Sequence, residues 1–309
     1  MGSALVGCAT AIPGTPGSEP PPPAVTTKPV QPLVAALRSL GYDCGQAAQA
    51  PVPVWQCFAT GDGGVQFSVA VQARADATTG GLLVSGSPPE GGGGATGGPV
   101  PKPATDALIS RLLPQVLAEP QLAGATEWVR ISSDRSVPVP GLHMSYGQTY
   151  GNGAKFELLT ADSATLQVQD PAQASARTMA GVAVPALQGF GQGNGMACDT
   201  SSRGSLSCAD KATYLRSMSV TPGRSGGVDL ATFTLRTGDR AQAVALFTAF
   251  ATVVSADGAA DTAEWLRRRV GADGEFSTAA PGGVRFTVRV ARSAGLDPEY
   301  RILAAPVLF

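Results

Sequence analysis

Four of the five cysteines fall in two close pairs, and that spacing constrains the fold more than any other feature of the chain. Cys44 and Cys57 are 13 positions apart, and Cys198 and Cys208 are 10 apart. Neither pair has the Cys-x-x-Cys spacing of zinc or thioredoxin-type sites, and there is a single histidine to help ligate a metal. Disulfides within each pair are the natural reading. Each would close a short loop and stabilise the fold by roughly 3 kcal/mol through the entropy removed from the unfolded chain. Four cysteines allow three connectivities, so local pairing is an expectation. Such bonds persist in an oxidising, extracytoplasmic compartment.

Each pair is followed by the same landmark. Glu127-Trp128-Val129-Arg130 follows the first and Glu264-Trp265-Leu266-Arg267 the second. Cys57 to Trp128 spans 71 positions and Cys208 to Trp265 spans 57. A low-complexity insert at 86–98 (GSPPEGGGGATGG), 13 residues long, accounts for nearly all of that difference. The chain therefore reads as an internal duplication of a unit of roughly 120 residues. The expected organisation is an N-terminal segment over 1–30, a first copy over 31–171 and a second over 172–309.

Hydrophobic periodicity gives the two copies one order of elements. In the second, 213–220 and 228–236 alternate as strands. Asp239 then starts a helix, with Gln242 three residues on as in a capping box and Val244, Phe247, Ala251 and Val254 as its apolar stripe. A short helix holds Ala263, Trp265, Leu266 and Val270, and strands at 284–290 and 300–308 close the unit. The first copy has strands at 55–60 and 65–72, with a further candidate at 82–85. A helix follows at 105–117, kinked or ended by Pro114, then a helix around Trp128, and strands at 143–146 and 155–160. The fold class is thus α+β: two tandem copies, each an antiparallel sheet with helices packed on one face. This arrangement broadly resembles the secreted β-lactamase inhibitor protein fold. No motif residues accompany the likeness, so it implies an architecture and no particular partner.

Cys8 stands apart. Leu5-Val6-Gly7-Cys8 resembles the lipobox of bacterial lipoproteins, here of high-GC Gram-positive type, in which the cysteine is acylated. The resemblance implies a lipid anchor at Cys8 and an extracytoplasmic, membrane-attached protein. Residues 9–31 are rich in Pro, Gly, Ser and Thr and read as a semi-rigid tether, reaching on the order of 70 Å if extended. The seven residues before Cys8 are too few for the charged and apolar regions of an export signal, so that signal is incomplete in this chain.

Composition and motifs exclude more than they assign. A net charge of -1 with 15% charged residues argues against a nucleic-acid partner. No run of about 18 apolar residues is present to span a membrane as a helix. The chain has no P-loop, no G-x-S-x-G elbow, no His-Glu-x-x-His and no EF-hand loop, and nothing calls for a metal or other cofactor. The glycines at 189, 191, 193 and 195 miss the dinucleotide-binding spacing and read as a flexible turn before Cys198. His143 is the only base available to a Ser-His-Asp triad, and its place in a strand favours a structural or surface role. Trp128 and Trp265 read as core anchors, with an aromatic binding surface as the other reading. Arg267, Arg268 and Arg269 read as a solvated helix C-terminus.

The sequence therefore points to a non-catalytic envelope lipoprotein that binds or scaffolds a partner through its duplicated domains. A lipoprotein carrying an apolar ligand and a hydrolase using His143 are the alternatives. A large cavity inside one copy would favour carriage, and a groove between the copies would favour a partner.

Overall fold

The computed structural model describes residues 25–307 apart from 49–51, 62–63, 88–101, 132–138, 150–152, 161–178, 180, 214 and 224–226. Cys8 with the lipobox-like residues before it and most of the Pro-rich segment and the Gly-rich insert lie outside the described residues. The first copy runs α1 (Val30–Ser39), β1 (Asp43–Ala48), β2 (Val54–Thr60), β3 (Gln66–Ala73), β4 (Thr79–Ser87), α2 (Lys102–Val116), α3 (Gln121–Ile131), β5 (Leu142–Thr149) and β6 (Gly153–Thr160). The second runs α4 (Val184–Gly193), β7 (Ala197–Thr200), β8 (Leu206–Ala209), β9 (Arg216–Pro222), β10 (Val228–Arg236), α5 (Arg240–Val254), α6 (Ala259–Arg269), β11 (Glu275–Ala280), β12 (Val284–Ala291) and β13 (Glu299–Pro306).

The sheets repeat one topology. The first has the order β1-β2-β3-β4-β6-β5 and the second β7-β8-β9-β10-β13-β12-β11, with all neighbours antiparallel. In each copy four strands form a meander, two helices cross one face, and the last strand returns beside the fourth. The protein is α+β, built as two tandem copies. Strand β11 is an extra outer strand of the second copy.

Alternation sets which face each sheet buries. Phe156 and Leu158 of β6, and Phe286 and Val288 of β12, are fully buried beneath the helices. The first core packs Leu33 and Leu37 of α1, Ile109, Leu112 and Leu113 of α2 and Trp128 of α3 onto the sheet. In the second, Phe233 lies 5.3 Å from Phe190, 5.8 Å from Phe247 and 6.0 Å from Phe250, ring centre to ring centre. Asp239 caps α5 by accepting from the backbone N–H groups of Ala241 and Gln242 at 2.8 and 3.2 Å. Thr237 closes the box: its hydroxyl accepts from the Asp239 N–H and donates to Gln242.

Both disulfides, Cys44–Cys57 and Cys198–Cys208, join residues directly opposite each other on the first two strands of their sheets. The glycine-rich stretch before the second pair is a correction to the sequence reading: it forms α4, with Leu187, Phe190 and Gly191 buried. A Cβ at Gly191 would lie 2.9 Å from both the Cys198 and Cys208 sulfurs, so the glycine lets the helix rest on the disulfide. Pro114 stays inside α2, which continues to Val116. Residues 25–29 are docked: the Lys28 ammonium donates to the Pro114 carbonyl at 2.7 Å, and the Thr79 hydroxyl donates to the Lys28 carbonyl at 2.9 Å.

The turn after β8 carries a titration signature. Asp210 accepts from the Thr213 hydroxyl, from the backbone N–H groups of Ala212 and Thr213, and from Arg216. The Thr213 hydroxyl leads these in holding the carboxyl at about 2, below its ordinary 3.8, against the opposing effect of desolvation. Because the folded value lies below the unfolded one, the stabilisation is complete above about pH 4 and is lost as pH falls through about 2. Chemical unfolding across that window will show a steep loss of stability in the parent protein and a shallower one in Asp210→Asn. Replacing both cysteines of either disulfide with serine will lower the unfolding free energy by roughly 3 kcal/mol, read as a lower urea midpoint.

Candidate functional site

The two sheets meet where β11 of the second copy lies on the outer face of β1 and β2. Cys44 and Cys57 point inward to the first core, so their neighbours Gly45, Gln56 and Phe58 face outward. An ideal Cβ on Gly45 would stand 1.8 Å from the carbonyl oxygen of Ala279, so only a glycine admits the β11 backbone at this distance. Around that contact the Gly283 N–H donates to the Ala47 carbonyl at 2.9 Å, and the Thr60 hydroxyl donates to the Glu275 carbonyl at 3.3 Å. Ala47, Phe58, Ala279 and Val307 close over it as a small apolar cluster.

Two arginines complete the joint. The Arg269 guanidinium grips Asp43 with two hydrogen bonds of 2.8 and 2.9 Å, and it lies 4.6 Å from the Phe276 ring centre. The Asp43 side chain is 7% exposed, so this is a paired, desolvated carboxylate rather than a surface ion pair. Arg285 lies 4.8 Å over the Phe58 ring and donates to the Ser277 hydroxyl from two nitrogens, at 3.2 and 3.0 Å.

Beyond the joint the outer faces diverge and leave a groove of about 310 Å³. Gln56, Phe58 and Ser68 line it from the first copy, and Glu275, Arg285, Thr287, Leu303, Ala305 and Pro306 from the second. The lining mixes apolar side chains with hydroxyl, amide and charged groups. Gln56 is 4% exposed, and its side-chain oxygen has no hydrogen-bond partner among the described residues. An orphan acceptor of this kind costs about 1–3 kcal/mol unless a donor reaches it.

The residues singled out in the sequence lie elsewhere. Trp128 and Trp265 are each 2% exposed, so both are core anchors, and the aromatic-surface reading gives way because neither ring reaches a surface. Among the described residues neither indole N–H has an acceptor, a matching feature of the two copies. His143 is exposed on the edge strand β5, and no hydrogen bond joins its ring to a Ser or Asp among the described residues. Within the arginine run, Arg269 pairs with Asp43 while Arg267 and Arg268 are exposed. The C-terminal carbonyls around α6 are instead met by Arg240, which donates to Val270 and Arg267 at 2.6 and 2.7 Å. Two tyrosines on the first copy are shifted away from ionisation: burial pushes Tyr42 up to about 12, and burial together with the Asp106 carboxylate raises Tyr146. Among the described residues no three His, Cys, Asp or Glu side chains cluster as metal ligands.

Sequence reasoning missed the joint and the groove. Gly45 follows a cysteine in a strand of small residues, and its partner Ala279 is distant in the chain. Nothing local marks either.

Comparison with protein-family models, curated proteins and solved structures finds no match to this chain. The likeness to the β-lactamase inhibitor protein fold gains no support from it. The disulfides mark an extracytoplasmic protein. Among the described residues no helix is long and apolar enough to cross a membrane.

Gly45→Val will displace β11, lowering the unfolding midpoint and enlarging the radius of gyration measured by X-ray scattering. Gly189→Ala, whose Cβ meets nothing within 4 Å, will leave the radius unchanged. Asp43→Ala, which strips Arg269 of its carboxylate, will cost about 2 kcal/mol of stability in the same unfolding assay.

Proposed function

We propose that this protein is a lipid-anchored envelope protein that holds a partner in the groove between its two sheets. One observation carries the reading: the groove is lined from both copies, so the pair forms a surface that neither copy has alone. The interiors support it as well. Phe156, Phe233, Phe247, Phe250 and Phe286 fill the two cores as fully buried side chains, and the groove lies between the copies. Recognition therefore falls to the sheet faces.

The anchor follows from the resemblance of Leu5-Val6-Gly7-Cys8 to a lipobox and from the Pro-rich segment behind it. Acyl chains on Cys8 would hold the protein at the membrane, each buried CH2 contributing about 0.8 kcal/mol. The tether would then set the groove off from the bilayer.

A bulky side chain inside the groove tests the site. The full chain will retain an envelope protein from a membrane extract. Leu303→Trp will lose it with an unchanged melting temperature, and Ser217→Trp, on the same face of the second sheet but outside the groove lining, will keep it. Equal retention by Leu303→Trp would remove the groove from the proposal. Metabolic labelling of the exported precursor with a fatty acid tests the anchor separately: label enters the parent protein and is absent from Cys8→Ala.

A further inference from the structure

We infer that the groove takes an extended, acidic polypeptide segment of a partner protein. This rests on the groove being the binding site and adds the chemistry of what enters it. The second sheet supplies the first argument. Its inward residues Val284, Phe286 and Val288 are buried, so Arg285, Thr287 and Arg289 point outward along β12. Register then fixes the rest of that face. Arg289 stands between Glu275 of β11 and Arg301 of β13, and Arg236 of β10 stands opposite Glu299.

The lining itself holds one charge of each sign, Arg285 and Glu275, and the same outward face beyond it carries Arg236, Arg289 and Arg301 against Glu299. It is a positive face on a chain whose net charge is -1. Glu299 is shared, 3.1 Å from Arg236 and 3.4 Å from Arg301, and the Arg301 side chain remains 51% exposed. Arg289 is exposed and pairs with no carboxylate among the described residues. Among the described residues the first copy lines the groove with the neutral Gln56, Phe58 and Ser68. The face complements carboxylates, which it would attract at a distance and hold by charge-assisted hydrogen bonds.

The second argument is the shape and the apolar part of the lining. A flat bilayer surface cannot enter a cleft between two sheets, whereas an extended chain can. Phe58, Leu303, Ala305 and Pro306 give an apolar side chain of the same segment a place to sit. An extended strand with an apolar residue between acidic ones fits the cleft, its apolar lining and the positive face beside it.

Peptide selection tests this. A random displayed library is panned against the immobilised, disulfide-bonded full chain, and a selected peptide is synthesised and titrated. Enrichment of Asp and Glu beside an aliphatic or aromatic residue is the expected result. Affinity should fall at least about tenfold in Arg289→Glu/Arg301→Glu and weaken when sodium chloride is raised from low to high concentration. Leu303→Trp should abolish binding. Arg289→Gln/Arg301→Gln keeps the test valid if charge reversal unfolds the protein, as circular dichroism would reveal. Enriched neutral or basic peptides that still depend on Leu303 would overturn the acidic segment and leave the groove standing. Peptides indifferent to Leu303→Trp would overturn the groove itself. A library that yields no binder would overturn recognition of a short segment.

Discussion

The seating of a backbone carbonyl on a glycine holds this molecule in its shape. The Ala279 oxygen occupies the space a side chain would take at position 45, which brings β11 into direct contact with the first sheet. Every other element of the joint depends on that approach. The Gly283–Ala47 hydrogen bond, the Arg269 grip on Asp43 and the Arg285 stack on Phe58 all span the same line. A side chain at 45 would push the sheets apart, and the groove walls, fixed to those sheets, would move with them. The binding surface is in this sense a consequence of the joint.

The disulfides occupy matching places and have different surroundings. In the first copy Cys44 lies between Asp43 and Gly45, so the bond staples the strand on which the second copy rests. In the second copy Cys198–Cys208 sits at the far edge of its sheet, beneath α4, with β11 at the opposite edge. Duplication supplied two equal bonds, and assembly gave one of them a second task. Trp128 and Trp265 show the other outcome, with equal positions, equal burial and an indole N–H that meets no acceptor among the described residues.

Much of the fold was legible because local period and burial agree. Strands β9, β10 and β12 alternate, and α5 announces its start at Asp239. The duplication was legible from two cysteine pairs, two Glu-Trp motifs and a discounted insert. Helix α4 was not, since Gly189, Gly191 and Gly193 lower its intrinsic helicity. What stabilises it is contact with a disulfide formed later in the chain. Strand β11 has no clear alternation, because one of its faces packs on the second core and the other on the first copy. The candidate site was the least legible part. Arg269 has an arginine as its neighbour at 268, and only the fold brings Asp43 to it.

The joint is head-to-tail: the outermost strand of one copy sits on the first two strands of the copy before it. Contacts of this kind do not close on themselves and can in principle be repeated without limit. The second copy has the equivalent seat on β7 and β8, facing away. There the residue after the first cysteine is Asp199, opposite Ser207, as Gly45 is opposite Gln56. Its side chain is 81% exposed, with the Lys211 ammonium 3.6 Å away. A carboxylate on that spot leaves no room for a carbonyl oxygen and repels its negative end. The two seats are thus unlike in the one property that matters for docking, and the two ends of the molecule are not interchangeable.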